Sequence, residues 1–278
     1  MIRSALVPLD GSLASRSAQA FAIELANRYN LFLEGLGILD TPTITAGAAT
    51  PVGGSAHRAS RDKALIEDAR KKVAGFIEAF DAACSEAGVD HDALAVEGSP
   101  YKAINRHARR SDVIFLGRQT FFHFETQDDP GETLKELIAD CARPLFVVPE
   151  HRTSGTGTVV ATDDGAPSAH AVQLFAQLGL FAEEPVHVVA VNKSEHVASA
   201  IAETSSAYLV RQGYRAVPNP IVSTKSAAEI LLAHVESIGA GLIVMGTHAT
   251  PGIVRRLFVG STALKIIRDT SIPVFVHH

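Results

Sequence analysis

The sequence has little from which to build a redox or metal centre: 278 residues carry two cysteines, Cys84 and Cys141. Their spacing fits neither a zinc site nor a CxxC pair, and each falls in a predicted helix, so they read as buried, unpaired thiols. No apolar run approaches the roughly 18 residues that a membrane span needs. The opening stretch, Met1 to Asp10, is short and strand-like rather than signal-peptide-like, and cytoplasmic residence is the expectation. Basic residues are in no excess: 25 Lys and Arg stand against 30 Asp and Glu, for a net charge of −5. Residues 1–150 hold 16 basic and 21 acidic residues, and the rest of the chain holds 9 of each. That balance leaves no basic face for a general nucleic-acid binder. Neither nucleic acid nor membrane is therefore an expected partner.

What is present is an ordinary globular composition, 46% apolar and 20% charged, and a repeat. The length suits two units of about 140 residues, each able to bury a core. Each half gives five short apolar strands separated by amphipathic helices. They lie near Ala5–Leu9, Leu31–Gly37, Ala93–Glu97, Val113–Leu116 and Leu145–Val148, then near Thr158–Thr162, Val186–Val191, Arg215–Ile221, Leu242–Met245 and Val274–His277. Strands with few polar interruptions, alternating with helices, predict two doubly wound parallel α/β sheets in tandem. The expected units are 1–150 and 158–278, joined by a flexible polar linker over 151–157.

The repeat is sharpest at one motif. Val113-Ile114-Phe115-Leu116 opens into Gly117-Arg118-Gln119 and closes at Gly131-Glu132-Thr133. Leu242-Ile243-Val244-Met245 opens into Gly246-Thr247-His248 and closes at Gly260-Ser261-Thr262, and the interval from Gly117 to Gly246 equals that from Gly131 to Gly260. A strand, a glycine loop and a helix N-terminus make an anion site, because unpaired N–H groups and the helix dipole point into it. The two cradles differ in charge. Between Gly117 and Glu132 stand Arg118, Glu125, Asp128, Asp129 and Glu132, net −3; between Gly246 and Ser261 stand only Arg255 and Arg256, net +2. A polyphosphate is repelled by the first and attracted by the second, so the second half is expected to hold the working site.

The first strand of each half ends in a carboxylate, in Val7-Pro8-Leu9-Asp10-Gly11-Ser12 and in Ala161-Thr162-Asp163-Asp164-Gly165. Counting to the following helix favours Asp163 as the partner of Asp10 and leaves Asp164 open. The interval from Asp10 to Asp163 is longer than that between the motif glycines, which puts a couple of dozen extra residues in the first half. They fall around Thr41 to Arg61, a segment of small residues with Pro and Gly that reads as a loop.

A first strand ending Val-Pro-Leu-Asp-Gly-Ser, a fourth ending Val-Met-Gly-Thr-His, a closing Gly-Ser and the ending Ile272-Pro273-Val274-Phe275-Val276 resemble the universal stress protein family in its tandem form, over essentially the whole chain. The resemblance implies an adenine-nucleotide-hydrolase-like (flavodoxin-like) fold, a stress-response role and, in some members, bound ATP, with ADP or AMP as alternatives and Mg²⁺ as companion ion. It further implies that Asp163 contacts the adenosine beside Val191, while Gly246, Thr247, His248, Gly260, Ser261 and Thr262 form the phosphate loop. The family loop has a second glycine where Ala249 stands, and one residue fewer before Gly260. In the first half only Asp10, Gly117 and Gly131 match, and Glu132 replaces the phosphate-binding serine. That half reads as a degenerate copy.

Two other readings compete with a nucleotide-responsive regulator or interaction module. One is a nucleotide-free adaptor with relic sites. The other is an enzyme hydrolysing ATP weakly, which lacks a Walker lysine, a Ser-Gly-Gly loop and a base beside a nucleophile. No catalytic residue and no metal ligand is assigned. His277 and His278 read as a frayed end. In the family's strand order the last strand of each half lies at a sheet edge, so an intrachain pseudo-dimer and a homodimer of two chains are expected.

Overall fold

The computed structural model describes residues 2–46, 55–120, 122, 131–247, 249–251 and 257–278. In the first half, strands β1 (Ser4–Leu9), β2 (Phe32–Leu39), β3 (His91–Glu97), β4 (Val113–Gly117) and β5 (Leu145–Val148) alternate with helices α1 (Leu13–Tyr29), α2 (Thr41–Ala46), α3 (Ser55–Glu86), α4 (Pro100–Ala108) and α5 (Glu132–Asp140). The second half runs β6 (Thr158–Ala161), α6 (Ala166–Leu178), β7 (Pro185–Asn192), α7 (Glu195–Arg211), β8 (Arg215–Val222), α8 (Ala227–Ile238) and β9 (Leu242–Gly246). It ends with a hairpin of β10 (Ala249–Pro251) and β11 (Leu257–Val259), then α9 (Ser261–Asp269) and β12 (Val274–His277). All ten expected strands are present. Local chemistry sets the helix ends: the Ser12 hydroxyl accepts the Ser15 N–H at 3.0 Å to start α1, and Gly179 and Gly239 end α6 and α8 at positive φ.

The ten strands form one sheet in the order β3-β2-β1-β4-β5-β12-β9-β6-β7-β8. Pairing is parallel within each half, and β5 meets β12 antiparallel at the centre. Register repeats between the halves: Ala5 opposes Val113 as Thr158 opposes Leu242, and Ile114 opposes Leu145 as Ile243 opposes Val274. At the join Phe146 pairs with Phe275, its own counterpart, so the pseudo-twofold axis passes between these two residues. Their rings meet edge-on at 5.2 Å; Phe115 stacks on Phe146 at 4.8 Å, and Phe175 packs on Phe275 at 5.7 Å. The strands the sequence placed at sheet edges thus cover one another. Apolar layers on both sides of the sheet run through this join, joining Phe21 to Phe175 on one face and Leu137 to Ile266 on the other.

Three expectations are corrected. Part of Thr41–Arg61 is helical: Asp40 accepts the Thr43 N–H at 3.2 Å to begin α2, and α3 starts at Ser55. Ala, Arg and Lys in α3 favour helix without needing burial; residues 47–54 of that segment lie outside the described residues. The 151–157 segment is tied down. Thr153 N–H bonds Ser271 O at 2.9 Å and Thr156 N–H bonds Gly239 O at 3.0 Å. Arg152 pairs with Glu24 and lies over the Phe21 ring. His277 is not frayed, for it ends β12 opposite Gly246 and its carbonyl accepts the Thr247 N–H at 2.8 Å.

Candidate functional site

At the carboxyl ends of β6, β7 and β9 a cleft of about 390 Å³ opens, closed on one side by the first turn of α9. Such a crevice is where open α/β sheets take ligands. It is lined by Asp163, Val191, Gly246, Thr247, Gly260, Ser261 and Thr262, so seven of the eight expected residues converge. The eighth, His248, lies outside the described residues, as do Arg255 and Arg256.

Asp163 sits where the register predicts. Its Oδ1 accepts the Gly165 N–H at 2.9 Å and its own N–H bonds Ser168 Oγ at 3.1 Å. Asp10 is held in the same way, by Ser12 N–H at 2.9 Å and by Ser15 Oγ at 3.4 Å. The offsets of two and five residues match, which makes Asp163, rather than Asp164, the counterpart of Asp10. Among the described residues lining this cleft, Asp163 is the one that carries a charge.

The two motif glycines do different work. A Cβ on Gly246 would lie 2.4 Å from Pro167 C and Ser168 N, so this glycine lets the end of β9 touch the first turn of α6. A Cβ on Gly117 would likewise lie 2.7 Å from Ala14 C. Among the described residues nothing lies within 4 Å of a Cβ placed on Gly260, whose φ is an ordinary −54°. Neither those neighbours nor the backbone conformation requires glycine there. Gly260 is the N-cap of α9 and provides no side-chain cap, and the leading turn of that helix, Gly260 to Ala263, lines the cleft. The Ser261 side chain stands exposed beside them.

Thr247 departs from the expected role. It is buried, and its hydroxyl lies 3.4 Å from both Ile138 O and His277 O. Its hydroxyl is therefore engaged with one carbonyl of the first half and one of its own half. Ala249 begins β10, opposite Val259, where extended backbone makes no demand for the missing glycine. In the first half, Glu132 occupies the leading turn of α5 with its carboxylate 3.1 Å from Lys135 Nζ. That helix supplies its own anion.

Sequence reading missed Ser168, Ala227 and Leu231. Ser168 joins the cleft wall through Asp163 N–H and Thr162 Oγ1, and the signal was a serine five residues after the aspartate in both halves. Ala227 and Leu231, with Val189 and Met245, give the cleft an apolar wall. Among the described residues no helix is long and apolar enough to cross a membrane, and no cluster of three metal-ligating side chains occurs.

The family model for the universal stress protein family matches residues 1–119 and 158–278. The chain belongs to the universal stress protein family. A universal stress protein from Synechocystis sp. is 30% identical over 165 residues, a stretch covering 59% of this chain and 56% of that relative. The match thus spans little more than half of the relative's length. Among solved structures, a universal stress protein from Archaeoglobus fulgidus superposes with a TM-score of 0.66 at 17% identity, covering 99% of this chain and 97% of the other. A universal stress protein from Pseudomonas aeruginosa gives 0.60 at 15% identity, over 99% and 93%. These whole-length likenesses carry the tandem fold of the family across both halves.

Proposed function

We propose that this universal stress protein binds an adenine nucleotide, ATP foremost, in the cleft of its second half, and that it acts as a nucleotide-responsive regulator or interaction module. The observation that carries the reading is Gly260. It is a glycine that neither its described neighbours nor its φ requires, at an uncapped helix N-terminus in the cleft wall. Space that a Cβ would fill, beside helix N–H groups for which no described residue provides a side-chain cap, suits a phosphate. The residues present fit the ligand. Gly260, Ser261 and Thr262 would hold phosphate oxygens through backbone N–H groups and hydroxyls, and Asp163 would accept from a ribose hydroxyl. Val189, Val191, Leu231 and Met245 would enclose the base. Mg²⁺ would accompany the phosphates and neutralise part of their charge.

The chain's own groups here bind and orient; the hydroxyl of Thr247 is committed elsewhere and supplies no base. A signalling role by occupancy fits such a site better than turnover. Calorimetric titration of the purified protein with ATP and Mg²⁺ tests the reading, after a denatured sample has been checked for carried nucleotide. One site per chain is the expected result. Absence of both binding and carried nucleotide would transfer the function to a nucleotide-free adaptor.

A further inference from the structure

α9 is held at both ends by different parts of the molecule. Its N-terminal turn forms the wall of the cleft, while its C-terminal end is gripped from the first half. Arg118, the residue after the motif glycine of that half, places Nη1 3.2 Å from Ile267 O, 2.6 Å from Arg268 O and 2.9 Å from Thr270 O. These are the carbonyls a helix leaves unpaired at its end, and a guanidinium there also complements the helix dipole. Burial lowers the pKa of Arg118 from its ordinary value, while Glu150 and Asp269 act in the opposite sense. An arginine remains charged under such a shift. The hairpin β10–β11, which leads into α9, packs against α5 of the same first half.

We infer that Arg118 is a positioning residue for the nucleotide cradle of the opposite half. The half that has lost its own cradle sets the placement of α9 and so the affinity for phosphate. This rests on the nucleotide reading of the cleft. The contact is selective in what it controls: α9 supplies the phosphate-facing N–H groups, whereas Asp163 and Val191, assigned to the nucleoside, stand at the ends of β6 and β7. Loss of Arg118 therefore weakens the hold on phosphates and leaves the hold on adenosine.

The test compares ATP and adenosine binding by calorimetry in the wild type, Arg118→Lys and Arg118→Met. The expected order for ATP is wild type, then R118K, then R118M, with R118M weaker by roughly threefold to tenfold. Adenosine affinity stays level across the three. Equal ATP affinity in all three, or equal losses for ATP and adenosine, overturns the inference. Should R118M fail to fold, R118K alone decides: a loss confined to ATP supports the proposal, and no loss overturns it. Should the wild type bind no ATP, the nucleotide reading fails by itself, and amide exchange then tests the clamp. Faster exchange at Leu264–Ile267 in R118K, with α6 and α8 unchanged, supports positioning of α9 by Arg118; unchanged exchange there overturns it.

Discussion

Arg118 and Thr247 each follow the motif glycine of their own half, and each reaches the carbonyl of an equivalent isoleucine across the join. Arg118 Nη1 lies 3.2 Å from Ile267 O, and Thr247 Oγ1 lies 3.4 Å from Ile138 O. Ile138 and Ile267 are separated by the same interval as the two motif glycines. The repeat thus survives as a reciprocal brace between the last helices of the halves, although the two bracing side chains have no chemistry in common beyond hydrogen-bond donation. The charged partner in the first half makes three such contacts, so the brace is stronger toward α9 than toward α5.

Gly260 separates folding from binding. Because a Cβ there meets no described atom within 4 Å, both Gly260→Ala and Gly260→Glu should fold, at a cost of about 1 kcal/mol in urea melts because each is a poorer N-cap than glycine. The glutamate would place an acceptor-only anion at the head of α9, as Glu132 does at α5. ATP binding should then fall below calorimetric detection, and an unchanged affinity in G260E would remove this cradle from consideration.

Gly246 behaves in the opposite way. A methyl group there would be pressed against backbone atoms of Pro167 and Ser168 at 2.4 Å, and backbone has no rotamer by which to give way. Gly246→Ala should cost about 1–3 kcal/mol by urea denaturation. A melt superimposable on the wild type would show that β9 and α6 are not in such close contact.

Restoring the serine in the first half should not restore a site. Glu132→Ser removes one acid, while Glu125, Asp128 and Asp129 remain in the same loop sequence. Titration with ATP should still give one site per chain. Appearance of a second would mean that Glu132 alone keeps the first cradle closed.

His277 gives the molecule an acid sensitivity. Burial, then His278 and His170, lower its pKa from 6.5 to about 4. The unfolded chain therefore binds the proton first as pH falls. Stability from this group is flat above about pH 6.5, declines as pH falls toward about 4 and is flat again below. His234, lowered by burial and by His187, adds to the same trend. His277→Phe should reduce the loss between pH 6.5 and 5 by on the order of 1 kcal/mol, after allowance for solvent screening of a half-buried ring. Urea midpoints compared at pH 7, 6 and 5 measure this, and parallel declines in the two proteins would assign the sensitivity elsewhere.

Much of this architecture is written in period and offset. Runs such as Val113–Leu116 and Leu242–Met245 are buried on both faces, so their apolar character marks them without ambiguity. The two intervals, from Asp10 to Asp163 and from Gly117 to Gly246, anticipate the sheet register residue for residue. What stayed hidden depends on partners distant in sequence. Nothing near Thr247 shows that its hydroxyl turns to Ile138, and nothing near Arg118 shows that its guanidinium reaches three carbonyls at the far end of the other half. The β10–β11 hairpin is too short and too weakly alternating to announce itself. The start of α3 reads as loop because its residues carry helix propensity without an apolar stripe.

The antiparallel join of β5 and β12 also fixes which strands are left at the rim of the sheet. The outer strands of the sheet are β3 and β8. Ser223 N–H bonds inward to Asn192 O at 3.0 Å, so the N–H groups that face outward along β8 belong to even-numbered positions, and at two of these, Pro218 and Pro220, there is no N–H to offer. β3 carries an acidic residue near each end, Asp92 and Glu97, and these repel a like copy of themselves. The edge left by each half's last strand is covered within the chain, and the two edges that stay open carry proline or acid where a further strand would pair.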